Sequence, residues 1–215
     1  MREDKRDALE AVAGSVSRET FERLLTFEAT FKRWSQRINL AAPSTLPHLW
    51  ERHVLDSAGL IRLAPEALRW LDLGSGGGFP GAVIAILMGE REGAHVDLVE
   101  SNRKKAAFLQ TALAAVQAPA TVHARRIEDC YEVIPTPEIV TARALAPLPR
   151  LLELMAPWLM GGARALVHKG RDYQREVEES GDAWRFDLVK HAASVGGDGV
   201  ILEIGNLRPP SEPHP

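Results

Sequence analysis

The chain has 215 residues, a formal net charge of −3, 45% hydrophobic and 26% charged residues, the balance of one ordinary water-soluble domain. No window approaches the roughly 18 consecutive apolar residues of a membrane span, and Met1-Arg2-Glu3-Asp4-Lys5-Arg6-Asp7 leads into no signal-peptide core, so a cytoplasmic protein without a membrane partner is expected. The single cysteine, Cys130, excludes an intramolecular disulfide and any multi-cysteine zinc site.

From Ser17 to Leu40, Phe21, Leu24, Leu25, Phe31, Trp34 and Ile38 recur at helical spacing, which predicts a long amphipathic helix. A second helix is expected from about Thr45 to Leu63, with Pro47 in its first turn and Leu49, Trp50, Val54, Leu60 and Ile61 on the apolar side. After Arg69 short apolar runs alternate with helical stretches, as in βαβ units. Strands are expected at Trp70–Leu73, His95–Glu100, Ala120–Ala124, Glu138–Arg143 and Arg164–His168. Helices are expected at Pro80–Met88, Asn102–Gln117, Ile127–Val133, Leu148–Leu159 and Asp172 to about Asp182. The last two strands, Phe186–His191 and Val200–Ile204, flank Gly196-Gly197-Asp198-Gly199 and read as an antiparallel hairpin. The Pro-rich segment 209–215 reads as a disordered tail. The expected organisation is a helical extension over residues 1–68, an α/β core over residues 69–207 and a tail over residues 208–215.

Charge is uneven along this plan. Between Arg103 and Arg175, 11 Lys and Arg accompany 6 Asp and Glu, whereas the rest of the chain carries 15 against 23. A local basic face on an acidic protein suits a phosphate-bearing partner, and solvated helix faces produce the same pattern.

The most informative segment is Trp70-Leu71-Asp72-Leu73-Gly74-Ser75-Gly76-Gly77-Gly78-Phe79-Pro80-Gly81. An apolar strand runs through an acid into a glycine-rich loop that opens a helix, an arrangement that lets a ligand approach the backbone closely. Gly78 is followed by Phe79 and Pro80 rather than Lys-Ser/Thr, which excludes a phosphate-binding P-loop. Gly76 to Gly81 matches the dinucleotide pattern G-x-G-x-x-G, with Glu100 19 residues beyond Gly81. Against it, Pro80 removes an N–H that a pyrophosphate would use, and Asp72 places negative charge nearby. Asp72 to Gly78 also spells D-x-G-x-G-x-G and resembles the motif of class I S-adenosylmethionine-dependent methyltransferases. A carboxylate there suits a cofactor that bears a sulfonium and an ammonium but no pyrophosphate. Glu100 is placed to bond ribose hydroxyls, and Ile127-Glu128 to flank adenine.

Several separated segments resemble one family closely, the bacterial 16S rRNA (guanine-N7) methyltransferases known as RsmG or GidB. They are Trp34 with Ile38-Asn39-Leu40, the block Arg52-His53-Val54-Leu55-Asp56-Ser57, Gly74 through Gly81, Ala142-Arg143-Ala144, and Lys169-Gly170. The resemblance spans about Phe31 to Gly205 and departs at Ala41, where the family usually has threonine. It implies a Rossmann-like class I methyltransferase fold, with a mostly parallel sheet, a C-terminal antiparallel hairpin and an N-terminal helical extension. It also implies methylation of N7 of guanosine 527 in 16S rRNA, with S-adenosylmethionine as donor and naked rRNA, the 30S subunit or an assembly intermediate as substrate. The cofactor residues implied are Asp72, Gly74, Gly76, Gly78, Phe79, Glu100, Ile127, Glu128 and Arg143, with Arg143 also positioning the substrate. Arg52, His53, Arg125, Arg126 and Lys169 are candidate RNA contacts, and Arg103, Lys104 and Lys105 stay unassigned.

His53 and Asp56, three residues apart, are placed to bond each other, the loop or RNA. No metal and no DNA partner are expected, and a monomer is. Two readings from other classes stay open, an NAD-dependent oxidoreductase on the same loop and an RNA-binding assembly factor without catalysis. The chain has no Tyr-x-x-x-Lys pair to support the first, and the intact loop with Arg143 speaks against the second.

Overall fold

The computed structural model describes residues 2–193 and 199–210. All five strands foreseen between Trp70 and His168 form, at β1 (Arg69–Leu73), β2 (His95–Val99), β3 (Ala120–His123), β4 (Ile139–Arg143) and β5 (Arg164–Lys169). They pair in parallel, with β1 between β2 and β4. The foreseen hairpin is β6 (Arg185–Ala192) with β7 (Val200–Arg208), and β7 inserts antiparallel between β5 and β6 to give the order β3-β2-β1-β4-β5-β7-β6. Residues 196–198 of its expected turn and residues 211–215 of the expected tail lie outside the described residues. The chain leaves β1 toward β2 and β3, then returns to start β4 on the other side. The C-terminal ends of β1 and β4 therefore flank the crevice where open α/β sheets bind ligands.

Two apolar clusters cover the faces of this sheet. Trp70, Val96 and Leu98 face one, with α4 (Gly81–Leu87), α5 (Arg103–Ala115) and the front helices. Leu71, Leu73, Val99 and Val140 face the other, with α6 (Leu148–Met160). Their alternation along β1 is the period-2 pattern of a strand buried on both sides.

The front helices differ most from expectation. A helix not foreseen, α1 (Arg2–Ala13), has Leu9 as its one buried residue, too weak an apolar stripe to signal itself in sequence. The first foreseen helix, α2 (Arg18–Ser35), is capped by the Ser17 hydroxyl accepting from Thr20 N–H at 3.0 Å, and it stops five residues before Leu40. Phe27 and Phe31 of α2 are fully buried and meet Phe79 and Phe108 at ring-centroid distances of 5.3 to 6.1 Å.

The helix expected over Thr45–Leu63 is not continuous. It is a 3-10 helix (Pro43–His48), a π turn (Trp50–Leu55), the single turn α3 (Asp56–Ala58) and a second 3-10 helix (Gly59–Leu63). Pro47 lacks the N–H that an unbroken ladder needs, and the π turn alters the register beyond it. His53 thereby meets Phe79 while Asp56 reaches the ends of β4 and β5. The helix expected at Ile127–Val133 is only a 3-10 turn, Glu128–Cys130, because Pro135 and Pro137 follow too closely for a longer one. The charged helix is α7 (Tyr173–Ser180).

Candidate cofactor and substrate site

The glycine loop leaves β1 with Gly74 and Ser75 donating their N–H groups to the Val99 carbonyl at 2.9 and 3.1 Å, which ties it to the end of β2. Two of its glycines, both with positive φ, serve different purposes. A Cβ on Gly76 (φ +53°) would approach nothing closer than the Gly74 carbonyl oxygen at 3.7 Å, so this position opens on the crevice. A Cβ on Gly78 (φ +91°) would come within 2.8 Å of the Ala82 Cβ and 3.0 Å of the Phe27 ring. At Gly78, expected as a cofactor contact, the loop packs against α2 and α4.

Asp72, also expected at the cofactor, is bonded within the fold. It is 1% exposed and lines none of the clefts described below. Its Oδ1 accepts from the Thr141 hydroxyl at 2.8 Å, and its Oδ2 accepts from Gly81 N–H at 3.2 Å. Burial pushes its carboxyl up to about 6, against the lowering effect of those hydrogen bonds. Asp72 thus fastens the first turn of α4 to β4.

Glu100 is where the expectation placed it, at the end of β2. Its Oε2 accepts from Gly76 N–H at 2.8 Å and its Oε1 from Asn102 N–H at 2.7 Å, so both oxygens are fixed while lone pairs stay free. It lines a cleft of about 340 Å³ together with Gly74, Gly76, Arg125, Arg126, Ile127 and Glu128. Five expected site residues besides Glu100 and Gly74 reach this cleft, although chain distance separates the loop, β2 and the turn after β3. Glu128 is paired with Arg150 at 3.0 Å on the exposed rim.

A second cleft, of about 280 Å³, shares Gly74, Gly76, Lys105 and Ala144 with the first and adds Ala41, His53, Phe79 and Arg143. The His53 ring lies 5.0 Å from the Phe79 ring at 32°, and neither of its buried nitrogens has a hydrogen-bond partner. Burial, with the Arg143 and Arg52 charges, lowers its value to about 4, so the ring is neutral near pH 7. His53, expected as an RNA contact, does not bond Asp56 and lines the second cleft.

The third cleft, of about 490 Å³, lies beyond Arg143 and is also lined by Asp56, Leu145, His168, Lys169 and Glu176. Arg143 Nη2 donates to the Arg52 carbonyl at 2.8 Å, and Nη1 stands 3.3 Å from Asp56 Oδ2. His168 Nε2 is 3.4 Å from the same oxygen. Burial lowers the affinity of both Arg143 and His168 for their protons, and Asp56 opposes the shift in each. Arg143, expected to serve both cofactor and substrate, lines the second and third clefts but not the one holding Glu100.

No sequence pattern marks His168, although it immediately precedes Lys169-Gly170. Only the β4–β5 register sets it opposite Arg143. Lys169, expected to touch RNA, is 7% exposed. Its Nζ pairs with Glu176 at 2.6 Å and donates to the Ala146 carbonyl at 2.9 Å. It holds down the loop after β4, where Ala144 has φ +52° and lines all three clefts. Arg52, Arg125 and Arg126 are exposed.

Comparison with known proteins shows the family and the fold. Residues 20–200 match the GidB family, described as rRNA small subunit methyltransferase G. A Chelativorans protein named ribosomal RNA small subunit methyltransferase G is 70% identical over 208 residues, covering 97% of this chain and 99% of that protein. One of the same name from Brucella canis is 58% identical, covering 94% and 95%. Among solved structures, an O-methyltransferase from Bacillus cereus in complex with SAH superposes with a TM-score of 0.58 at 13% identity, covering 96% and 100% of the two chains. TomG, an O-methyltransferase from Streptomyces achromogenes in complex with SAM, gives 0.56 at 16% identity, covering 93% and 95%. At these identities the two structures show a shared class I methyltransferase fold.

Proposed function

The chain belongs to the GidB family of rRNA small subunit methyltransferases, and on that premise we propose that it transfers the methyl group of S-adenosylmethionine to N7 of guanosine 527 in 16S rRNA. The observation that carries this activity is the contiguity of the clefts at the β1/β4 crevice. Glu100 and Ile127-Glu128 line one end, the buried Arg143 lines the other, and Gly74 with Ala144 lies at their junction.

The residues present suit the cofactor. The open Cβ position at Gly76 leaves room for close approach. The anchored Glu100 carboxylate keeps acceptor capacity for ribose hydroxyls, and Ile127 with Glu128 would flank adenine. Gly74, Gly76, Glu100, Ile127 and Glu128 would hold it, with Phe79 on the neighbouring cleft. When bound, S-adenosylmethionine supplies an electrophilic methyl group on a sulfonium.

Guanine N7 carries an in-plane lone pair and loses no proton on methylation, so this chain needs no general base. The neutral His53 and the paired Arg143 fit that requirement. The task left to the protein is to hold the base in line, where proximity and orientation contribute several kcal/mol. Arg143 is the residue placed to do it, and a target base must leave its stack to reach it. Exposed Arg52, Arg125 and Arg126, with Lys105 between the first two clefts, would hold the RNA backbone.

In this assignment residues 1–68 are a helical extension beside the substrate and the sheet from β1 to β7 with its helices is the transfer core, acting as a cytoplasmic monomer on rRNA or a 30S particle. Incubation with labelled S-adenosylmethionine and unmethylated 30S subunits or 16S rRNA, followed by N7-specific strand cleavage, tests it. Label at one guanine of the small-subunit RNA is the expected result. Cofactor binding with no transfer to either RNA overturns the substrate assignment, and absence of cofactor binding overturns the activity.

A further inference from the structure

The wall of the third cleft carries a cluster of buried polar side chains that are only partly paired with one another. Asp56 Oδ2 stands 3.3 Å from Arg143 Nη1 and 3.4 Å from His168 Nε2, whereas Asp56 Oδ1 has no hydrogen-bond partner among the described residues. The side chains of Asp56, Arg143 and His168 are 13%, 21% and 8% exposed, and all three line the cleft. Buried polar groups are nearly always satisfied in folded proteins, so such a cluster at a cavity wall marks a place where a ligand completes the bonding. The volume of about 490 Å³ suits a small molecule or a single extruded base.

We infer that this cleft is the pocket of the target base and that Asp56 is its specificity-determining residue, accepting from guanine N1–H and the N2 amino group while Arg143 donates to O6. The assignment rests on the guanine-N7 activity proposed above. Around the rim of guanine the groups run N2, N1, O6 and N7 in order. Across the site the residues run in the same order, with Asp56 in the third cleft, Arg143 shared by the third and second, and Ala144 with Gly74 at the border of the cofactor cleft. A base seated with its Watson–Crick edge on Asp56 therefore turns N7 toward the glycine loop.

The chemistry also discriminates. A carboxylate offers only acceptors and meets two donors on guanine, whereas adenine would present an acceptor at N1 to Asp56 and a donor amino group to Arg143. His168 is a positioning residue, since its Nε2 lies beside Asp56 Oδ2 and braces that oxygen while Oδ1 stays free.

The test uses the intact protein with a 30S particle reconstituted from 16S rRNA carrying guanosine, inosine or adenosine at the target position. Inosine keeps N1–H and N7 but lacks the N2 amino group. For the native chain kcat/KM is expected to fall about 10- to 100-fold with inosine, and transfer to adenosine to be lost. In Asp56→Asn the preference for guanosine over inosine should shrink to within about threefold, with cofactor binding retained. Equal rates of the native chain on guanosine and inosine overturn the assignment of Asp56, even if the variant does not fold. An unchanged preference in a folded Asp56→Asn overturns it as well. Absence of transfer from the native chain to guanosine overturns instead the activity on which the pocket depends.

Discussion

Asp72 and Asp56 are both buried acids beside the same crevice, one under the glycine loop and the other beyond β4. Both oxygens of Asp72 are occupied, by Thr141 and by Gly81, whereas Asp56 has one oxygen near two cationic or neutral nitrogens and the other with no partner among the described residues. The sequence motif points to Asp72 as the ligand-facing acid, and in the base pocket inferred above that part falls to Asp56. A carboxylate whose capacity is filled from within shapes the loop, and one left half-filled at a cavity wall is available to something outside the chain. The same contrast separates Gly78, packed on Phe27, from Gly76, open to the crevice.

Five substitutions sharpen or break this division between scaffold and site. The largest effect is expected for Arg143→Ala, which should lower methyl transfer in a single-turnover assay about 100- to 1000-fold. Cofactor affinity by titration calorimetry should stay within about threefold, because Arg143 does not line the Glu100 cleft. Equal losses in both measurements would mean that the two ends of the crevice act as one. Next is Gly78→Ala, whose Cβ must enter a filled core at positive φ. Overpacking and backbone strain together should cost about 3 kcal/mol in chemical denaturation. Gly76→Ala should cost about 1 to 2 kcal/mol from its φ alone while weakening cofactor binding, and a reversed order would exchange their roles.

Glu100→Gln comes third. Loss of a charged acceptor should weaken the cofactor about 10- to 100-fold, with methyl transfer at saturating cofactor near the native rate. The smallest effect is the pH dependence of Asp72→Asn. The Asp72 carboxyl, at about 6 in the fold, lies above its unperturbed 3.8, so the folded state binds a proton first as pH falls. The native chain gains stability by that linkage as pH drops from 7 through 6 toward 4, and asparagine cannot. The melting temperature of the variant relative to the native chain should therefore fall by a few degrees between pH 7.5 and pH 5. A pH-independent difference would show that Asp72 titrates at its ordinary value.

Local pattern alone made the alternating strands and helices from β1 to α7 legible, because apolar periodicity and glycine punctuation are properties of neighbouring residues. The glycine loop, the acid ending β2 and the pair Ile127-Glu128 belong to the same class, since each sits at a strand end that the pattern predicts. What the pattern could not settle was which way a side chain is used once the strands are laid side by side. Asp72 turns inward because Thr141 lies in register with it on β4. Lys169 is consumed because α7 brings Glu176 to it. His168 reaches Asp56 only because β5 pairs with β4 and a π turn presents α3 to both. Such contacts join residues 69, 7 and 112 positions apart. Hydrogen-bond capacity and burial depend on the whole surroundings of an atom, so tertiary packing decided which of these charged groups serve the fold and which are left for a ligand.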